Sequence, residues 1–326
     1  MDTKLISIIG QFKNKKILVI GDIMLDKYIW GEVSRISPEA PVQVVNVEKE
    51  SYAPGGAANV ANNIAALNAQ SIIVGIVGED TTKDTLIKEL KKRNIDTNGI
   101  FIDNDKPTIQ KVRVLGRNQQ LLRFDYEKKG YVNNKTENDI FDFISKKIDE
   151  IDAVVVSDYA KGVIAKNLME QLIDLCSKKN KIIVVDPKPK HKTFYKNSTL
   201  ISPNHTEAHQ MTGIIEEGNV KEEIEKMGKI LIEELSSNVL ITRGEKGMSL
   251  FEKNGKTTHT PTFAKEVYDI VGAGDTSVAT LTLALASGAS FEQAAIIANH
   301  AAGITVGKIG TSTVSIEELK TSIEDE

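Results

Sequence analysis

The feature that most constrains the fold is a regular alternation of short apolar runs and longer amphipathic segments in the second half of the chain. Short runs rich in Val and Ile are typical of strands buried on both faces, and the longer segments carry the period of a helix. The alternation predicts an α/β fold of three layers, α/β/α, with a mostly parallel central sheet. The predicted strands are Ala153–Ser157, Ile182–Asp186, Thr199–Ile201 and Val239–Thr242, and the helices between them are Lys166–Ser177, Glu207–Met211 and Lys221–Leu235.

The flanking regions extend the same pattern. Two further buried strands, two helices of the first half, two antiparallel edge strands and two C-terminal helices are predicted from their periodicity. The last two helices are apolar nearly all round, so we expect them to be buried. In chain order these elements are Lys16–Ile20, Gly55–Ala69, Ser71–Val77, Thr82–Arg93, Met248–Phe251, Thr257–Pro261, Gly274–Ala286 and Phe291–Val306.

Four other segments alternate apolar and polar residues, which is typical of partly exposed strands. They are Tyr28–Ile36, Val42–Val47, Thr108–Leu115 and Gln119–Asp125, and the last two flank a turn. We expect them to form a small β-sheet lid from about residues 27–50 and 107–126. No repeat or linker interrupts the rest, which predicts one domain over residues 1–326.

Composition excludes several classes of function. The 326 residues have a net charge of −4, so binding to nucleic acid has no electrostatic support. The single cysteine, Cys176, excludes a disulfide within the chain. The N-terminus lacks the pattern of a signal peptide, and no apolar run is long enough to span a membrane. These observations predict a cytoplasmic protein.

The octapeptide Asp269–Thr276 carries the strongest chemical signal. Its small residues Gly272, Ala273 and Gly274 leave backbone N–H groups uncovered just where a helix begins, which predicts a binding site for an anion. Asp275 follows them, well placed to take a proton from a hydroxyl that attacks a phosphoryl group. The alternative is a helix that simply begins at a glycine-rich turn with Asp and Thr as capping residues.

Polar clusters follow the predicted strands of the parallel sheet. Ligands of open parallel sheets bind at the carboxyl ends of the strands, so we expect these clusters to line one site. Each of them has the alternative of a loop or cap. The clusters are Asp22 with Asp26, Asp158, Asp186–Lys188, Asn204–Glu207 and Thr242–Gly244.

Two motifs resemble the signatures of the ribokinase-like sugar kinases, also called the pfkB family. Gly55–Asn59 is similar to the first signature and Asp269–Thr276 to the second, and the similarity extends over nearly the whole chain. A narrower resemblance, to the heptose-7-phosphate kinases of this family, lies in Gly21–Asp26, Ser34–Pro41, Arg113–Asp125 and Ser157–Gly162. That activity is often half of a bifunctional protein of ADP-heptose synthesis. We expect the nucleotidyltransferase half to be absent here.

The resemblance implies ATP-dependent phosphorylation of D-glycero-β-D-manno-heptose 7-phosphate at its anomeric hydroxyl. Asp275 would be the base, and the amides of Gly272, Ala273 and Gly274 would stabilise the transferred group. Asp26 and Asp22 would bind sugar hydroxyls, either of them having the alternative of a turn former. The first signature would contact the sugar through Gly55, Gly56 and Asn59.

Cations on the predicted lid favour a phosphorylated acceptor over a free sugar. These cations are Lys111, Arg113, Arg117 and Arg123, with Lys161 nearby, although lid cations are often merely solvated. The resemblance also implies ATP and Mg²⁺ as cofactors, with a monovalent cation left open. It assigns ATP binding to Lys188, Asn204, His205, Thr206, Glu207, Thr242, Gly244, Gly247 and Asn299. Asn204 and Glu207 are implied near the metal, with a helix capping box as the alternative or additional role.

Three further hypotheses concern other functions. His205 and His209 lie four residues apart, but no further ligand is evident from the sequence, so we do not expect zinc. The acceptor could be another sugar or phosphosugar, or the protein could be a catalytically silent binding protein of the same fold. A homodimer through the exposed lid strands is also expected.

Overall fold

The computed structural model describes residues 2–116, 119–214, 220–308, 310 and 312–325. Its strands are β1 (Lys16–Gly21), β2 (Ile23–Ile36), β3 (Gln43–Gly56), β4 (Gln70–Val77), β5 (Asp96–Ile102), β6 (Ile109–Gly116), β7 (Gln119–Tyr126), β8 (Ala153–Ser157), β9 (Ile182–Asp186), β10 (Leu200–Ile201), β11 (Asn238–Thr242), β12 (Met248–Phe251) and β13 (Thr257–Thr260). Its helices are α1 (Asp2–Gly10), α2 (Ala57–Ala66), α3 (Thr81–Lys91), α4 (Asn134–Lys147), α5 (Lys166–Lys178), α6 (His205–Thr212), α7 (Val220–Leu235), α8 (Ala273–Ala286), α9 (Phe291–Val306) and α10 (Ile316–Glu324).

The central sheet has nine strands in the order β13-β12-β11-β10-β9-β8-β1-β4-β5. All neighbours are parallel except β11–β12 and β12–β13, which are antiparallel. This confirms the predicted mostly parallel sheet with two antiparallel edge strands. Strand β5 and the helices α1, α4 and α10 were not predicted.

Alternate residues of the central strands pack against two different helical layers. In β1, Ile17 and Val19 join one apolar core, whereas Leu18 and Ile20 join the other. The first core includes side chains of α1, α2, α8, α9 and α10, and the second includes side chains of α4, α5, α6 and α7. Both faces of the sheet are therefore covered, as its continuous apolar strands require.

A second sheet has four strands in the order β3-β2-β6-β7. Strands β2 and β3 are antiparallel, as are β6 and β7, but β2 and β6 are parallel. The predicted hairpin of β6 and β7 is confirmed, and it joins the other two lid strands through β2. The predicted helix at Gly55 begins two residues later, because Gly55 and Gly56 still pair with β2.

Candidate active site

The site is built around the first turn of α8. The residue before the helix, Gly272, has φ 86°, a left-handed conformation in which glycine avoids the strain of a Cβ atom. Asp275 lies in the first turn and is 7% exposed. Gly274 faces open space on its Cβ side. The N–H groups at this helix start can therefore bind an anion beside the Asp275 carboxylate, although that of Ala273 also makes a long contact of 3.4 Å with the Ile270 carbonyl oxygen.

Two side chains donate hydrogen bonds to Asp275. Asn59 Nδ2 donates to Oδ2 at 2.7 Å, and the Tyr159 hydroxyl donates to Oδ1 at 2.9 Å. Thr276, the next residue of α8, donates its hydroxyl at 2.8 Å to Oδ1 of Asn63, which lies one turn after Asn59 in α2. These bonds join α2 to α8, so the two glycine-rich motifs form one structural unit and the orientation of the carboxylate is fixed.

The environment of Asp275 suits a general base. Burial raises the pKa of its carboxyl to about 6, and the hydrogen bonds from Asn59 and Tyr159 limit the increase. The charge of Asp26 raises this pKa further, and Lys188 lowers it. A pKa just below neutrality leaves the group mostly ionised near pH 7 yet basic enough to accept a proton in a transition state.

A polar pocket of about 170 Å³ lies in front of this helix start. Its lining includes three of the predicted catalytic residues at the start of α8, Gly272, Gly274 and Asp275. Four residues predicted to bind ATP also line it, Lys188, Asn204, Glu207 and Thr242, together with Tyr159, Asp186 and Ser202. Asn204 and Glu207 form the capping box of α6, so the capping alternative is correct. The Lys188 ammonium also binds the Glu207 carboxylate.

Asp186 stands out among the lining residues. Burial and the nearby charge of Glu207 raise the pKa of Asp186 well above its ordinary value, although Lys188 acts in the opposite direction. Two carboxyl groups close together beside an anion pocket fit a divalent cation, because bound positive charge would remove their repulsion and stabilise both ionised forms.

A second cavity, of about 440 Å³ and mostly apolar lining, adjoins the polar pocket. Thr242 and Gly274 line both spaces. Four of the residues predicted to bind ATP line the larger cavity: Thr242, Gly244, Gly247 and Asn299. Its size suits a small aromatic ligand. His205 and Thr206 line neither space.

The residues predicted to bind the acceptor lie on one face of the lid sheet. Asp26 on β2 is 5% exposed, and its Oδ1 accepts a hydrogen bond from Arg113 Nη1 at 2.7 Å. A Cβ atom on Gly55 would lie 2.8 Å from Asp26 Oδ2, so glycine is needed where β3 passes this carboxylate. Burial raises the pKa of Asp26, while Arg113, Lys111 and Arg123 lower it. The three lid cations therefore converge on Asp26.

Lys111, Arg123 and Lys161, the other predicted cations that the structure describes, have carboxylate partners. Lys111 and Arg123 both bind Asp125, at 3.0 Å and 3.1 Å, and Lys161 binds Glu127 at 2.6 Å. Arg117 lies outside the described residues. Whether these cations contact a substrate stays a prediction.

Asp22 differs from Asp26 in its contacts. Its carboxylate accepts hydrogen bonds from the backbone N–H groups of Tyr159, Lys161 and Val163, at 3.0 to 3.1 Å, and it is 1% exposed. These bonds give Asp22 the alternative role of a turn former: it holds the loop that presents Tyr159 to Asp275.

Tyr159 and Asn63 were not assigned roles from the sequence, and Asp186 was predicted only as a member of a polar cluster at a strand end. Asn63 follows Asn59 by one helical turn in a helix of small apolar residues, which is a signal that could have found it. Tyr159 follows Asp158 in a segment that resembles the heptose kinases, but nothing in the segment predicts its contact with Asp275.

The geometry indicates a class of enzyme. A buried carboxylate at a helix start that can bind an anion, between a mostly apolar cavity and a cationic face of the lid sheet, is the arrangement expected of a phosphotransferase that acts on hydroxyl groups. The model of the pfkB family of carbohydrate kinases matches residues 14–319. The chain belongs to this family, and it is a carbohydrate kinase.

Individual relatives agree with this assignment. The chain is 42% identical over 321 residues to the bifunctional protein HldE of Desulfatibacillum aliphaticivorans, covering 98% of this chain and 65% of that protein. For the bifunctional protein HldE of Helicobacter pylori, the identity is 44% over 306 residues, covering 94% of this chain and 65% of the relative. The chain thus spans about two thirds of the length of these relatives.

Solved structures confirm the ribokinase-like fold. Phosphofructokinase-2 from Escherichia coli, in complex with potassium, has a TM-score of 0.78 at 19% identity. The match covers 95% of this chain and 99% of the phosphofructokinase-2 chain. A ribokinase of Arabidopsis thaliana complexed with ribose and ATP has a TM-score of 0.72 at 20% identity, with coverage of 95% and 99%. Within the part of the chain that the structure describes, no helix is long and apolar enough to cross a membrane.

Proposed function

We propose that the protein transfers the γ-phosphoryl group of ATP to the anomeric hydroxyl of D-glycero-β-D-manno-heptose 7-phosphate, giving the 1,7-bisphosphate for ADP-heptose synthesis. The observation that carries the proposal is the position of Asp275. Its carboxylate borders the polar pocket, and its pKa responds to the charge of Asp26 on the acceptor face.

The nucleotide occupies the two adjoining spaces. The adenine lies in the apolar cavity beside Gly244, Gly247 and Asn299, and the phosphates lie in the polar pocket with Lys188 as their cation. Mg²⁺ fits beside Asp186 and Glu207, with Asn204 at the same helix start, and when bound it would neutralise phosphate charge. Because the Glu207 carboxylate already accepts bonds from Lys188 and from the Asn204 backbone, we expect it to hold the metal through water.

The acceptor binds between α2 and the lid. Asp26 accepts hydrogen bonds from sugar hydroxyls, and Arg113, Lys111 and Arg123 bind the 7-phosphate. In the free protein Asp125 neutralises Lys111 and Arg123, and a phosphate would take its place. The narrower resemblance to heptose-7-phosphate kinases, which includes Arg113–Asp125, supports this choice of acceptor.

The proposed reaction is a single displacement. Asp275 accepts the proton of the anomeric hydroxyl, the oxygen forms a bond to the γ-phosphorus, and the bond from that phosphorus to the ADP oxygen breaks. The N–H groups of Gly272, Ala273 and Gly274 stabilise the negative charge on the transferred group. Asn59 and Tyr159 hold the base in place throughout.

The experiment compares acceptors with the purified chain and Mg-ATP. We expect strong preference for D-glycero-D-manno-heptose 7-phosphate over ribose, fructose and fructose phosphates, measured by coupled detection of ADP, with phosphorus NMR locating the new phosphate on the anomeric oxygen. Equal or better turnover of an unphosphorylated sugar would contradict the proposed acceptor. Absence of turnover with every sugar and phosphosugar tested would favour a silent binding protein.

The proposal also covers assembly and compartment. We propose one kinase domain over residues 1–326, acting in the cytoplasm, where ATP is available, with a lid from about residues 27–50 and 107–126. A homodimer through the lid is supported by Leu122, Phe124 and Tyr126, which are exposed on the β7 face opposite Arg123. Light scattering of Leu122→Glu beside the unaltered chain tests it: a dimer converted to a monomer is expected, and a monomeric unaltered chain refutes it. Comparison of potassium and choline salts would reveal any monovalent-cation requirement.

A further inference from the structure

The face of α6 that carries His205 and His209 has no part in the two pockets. The two histidines lie four residues apart and therefore on the same face of the helix. Their rings are in contact edge to face, with centroids 4.5 Å apart and planes at 85°. The two imidazoles therefore lie together on α6, whose first residue, His205, directly follows the N-cap residue Asn204.

The structure supplies the third group that the sequence did not reveal. Glu223, from the first turn of α7, is 4% exposed, and its Oε2 lies 3.9 Å from His209 Nε2. One potential ligand atom from each of His205, His209 and Glu223 lies within 4.8 Å of the other two. Metal ligands with bonds of about 2.0–2.2 Å lie about 3.4 Å apart in a tetrahedral site, so shifts of about 1 Å would close this one.

The orientation of His209 matches that of a metal ligand. Its Nδ1 lies 3.2 Å from the carbonyl oxygen of Ile214, a contact in which Nδ1–H donates and the proton stays on that nitrogen. The lone pair is then on Nε2, which is buried, is directed at Glu223, and makes no hydrogen bond with any residue that the structure describes. Metal-binding histidines typically donate their second nitrogen to such a carbonyl.

We propose that His205, His209 and Glu223 bind one transition-metal dication, of which Zn²⁺ is the best representative. Two imidazole nitrogens favour Zn²⁺, Ni²⁺ or Cu²⁺ over Mg²⁺ and Ca²⁺, which select oxygen ligands, and water completes the coordination. The site is separate from the proposed Mg²⁺ position. Because it joins α6 to α7 immediately behind Asn204 and Glu207, a bound ion fixes the helix start that borders the polar pocket.

The test is titration of the chelator-treated full chain with Zn²⁺, in competition with a chromophoric chelator and without nucleotide. We expect one equivalent to bind, and its affinity to fall at least tenfold in His209→Gln and in Glu223→Gln. The matched control is His259→Gln. His259 lies 2.9 Å from the carboxylate of Glu225, which is on the same helix as Glu223, but it belongs to no three-ligand cluster among the described residues. The control variant should retain the affinity of the unaltered protein.

Two further measurements separate binding from folding and from the active site. Zn²⁺ should raise the Tm of the unaltered chain and of His259→Gln but not that of His209→Gln, because only a folded site binds the ion. Asp186→Asn should leave the affinity unchanged, and Co²⁺ should give visible absorption typical of nitrogen ligation. Failure of the unaltered chain to bind one equivalent, unchanged affinity in His209→Gln and Glu223→Gln, or loss of binding in Asp186→Asn would each overturn the proposal.

Discussion

Replacing Asp275 with Asn should abolish most activity and yet stabilise the fold near neutral pH. The carboxyl pKa is raised from 3.8 to about 6 by burial. A pKa that is higher in the folded than in the unfolded state gives stability that is fully present below 3.8 and is lost as the pH rises through about 6. Ionised Asp275 therefore opposes folding at the pH where we propose that it acts as a base.

The magnitude follows from these two pKa values. The ionised group costs the folded state about 3 kcal/mol at pH 7.5 and about 2 kcal/mol at pH 5, each relative to a group that stays neutral. Asn removes this charge, but its side chain has one oxygen acceptor where Asp has two. One of the hydrogen bonds from Asn59 and Tyr159 is therefore lost, which costs about 1 kcal/mol of stability. That loss is the same at both pH values. The stability difference between Asp275→Asn and the unaltered chain should thus grow by about 1 kcal/mol from pH 5 to pH 7.5.

The assay is urea unfolding of both proteins at the two pH values, without nucleotide, combined with turnover and calorimetric ATP binding at pH 7.5. Turnover should fall by about 10²–10⁴-fold while ATP still binds, as expected for loss of a general base. The matched control is Asp80→Asn. Burial of Asp80 is outweighed by hydrogen bonds from the Thr108 and Lys83 backbones, so its pKa is lowered and it is ionised at both pH values in both states. Its effect on stability should not change with pH. A pH-independent difference for Asp275→Asn would refute the electrostatic reasoning, and near-normal turnover would refute the assignment of the base.

Three other substitutions test the neighbouring groups. The acidic limb of the profile of kcat/KM against pH should lie near pH 6. Tyr159→Phe should move this limb to higher pH, because the variant loses a hydrogen bond that lowers the pKa of Asp275. A limb at the same pH in both proteins would contradict this contact. Arg113→Ala should raise KM for the phosphosugar at least tenfold, through loss of a charge-assisted bond, with little change in KM for ATP, and equal effects on both substrates would place Arg113 elsewhere. Glu207→Gln should raise the Mg²⁺ concentration for half-maximal activity about tenfold, through loss of a carboxylate near the metal, and an unchanged Mg²⁺ dependence would remove Glu207 from the metal site.

The central fold was predictable because its signals are local. Strands such as β8 and β9 are continuous apolar runs, and α8 follows a glycine-rich turn, so each element is identified by its own residues. The apolar pattern of helix α4 is weaker, because only four of its fourteen residues are buried, among them Ile140 and Ile144. Its stability comes from packing against strands distant in sequence, which periodicity within one segment does not reveal.

The residues of the candidate site also fall into two groups: those that a local motif identifies, and those that only the folded structure brings together. The residues that a motif identifies, such as Asp275 and Asn204, are positioned by the start of their own helix, and the sequence already contains that geometry. Contacts between segments that are distant in sequence cannot be predicted from a motif within one segment. The Tyr159 hydroxyl reaches Asp275 across 116 positions of sequence, and Glu223 reaches His209 only because α6 and α7 pack together.

Asp22 and Asp26 show why similar residues four positions apart acquire different functions. Asp22 follows β1 of the central sheet, where it accepts three backbone hydrogen bonds from the loop that carries Tyr159. Asp26 lies on β2, after the chain has entered the lid sheet, and it faces Arg113 across the parallel pair β2–β6. Asp26, the proposed acceptor-binding carboxylate, therefore belongs to the lid sheet, whereas Asp22 orders the loop that carries Tyr159 at the end of a central strand. Substitution of either would reduce activity, but only loss of Asp22 would release the loop that presents Tyr159 to the base.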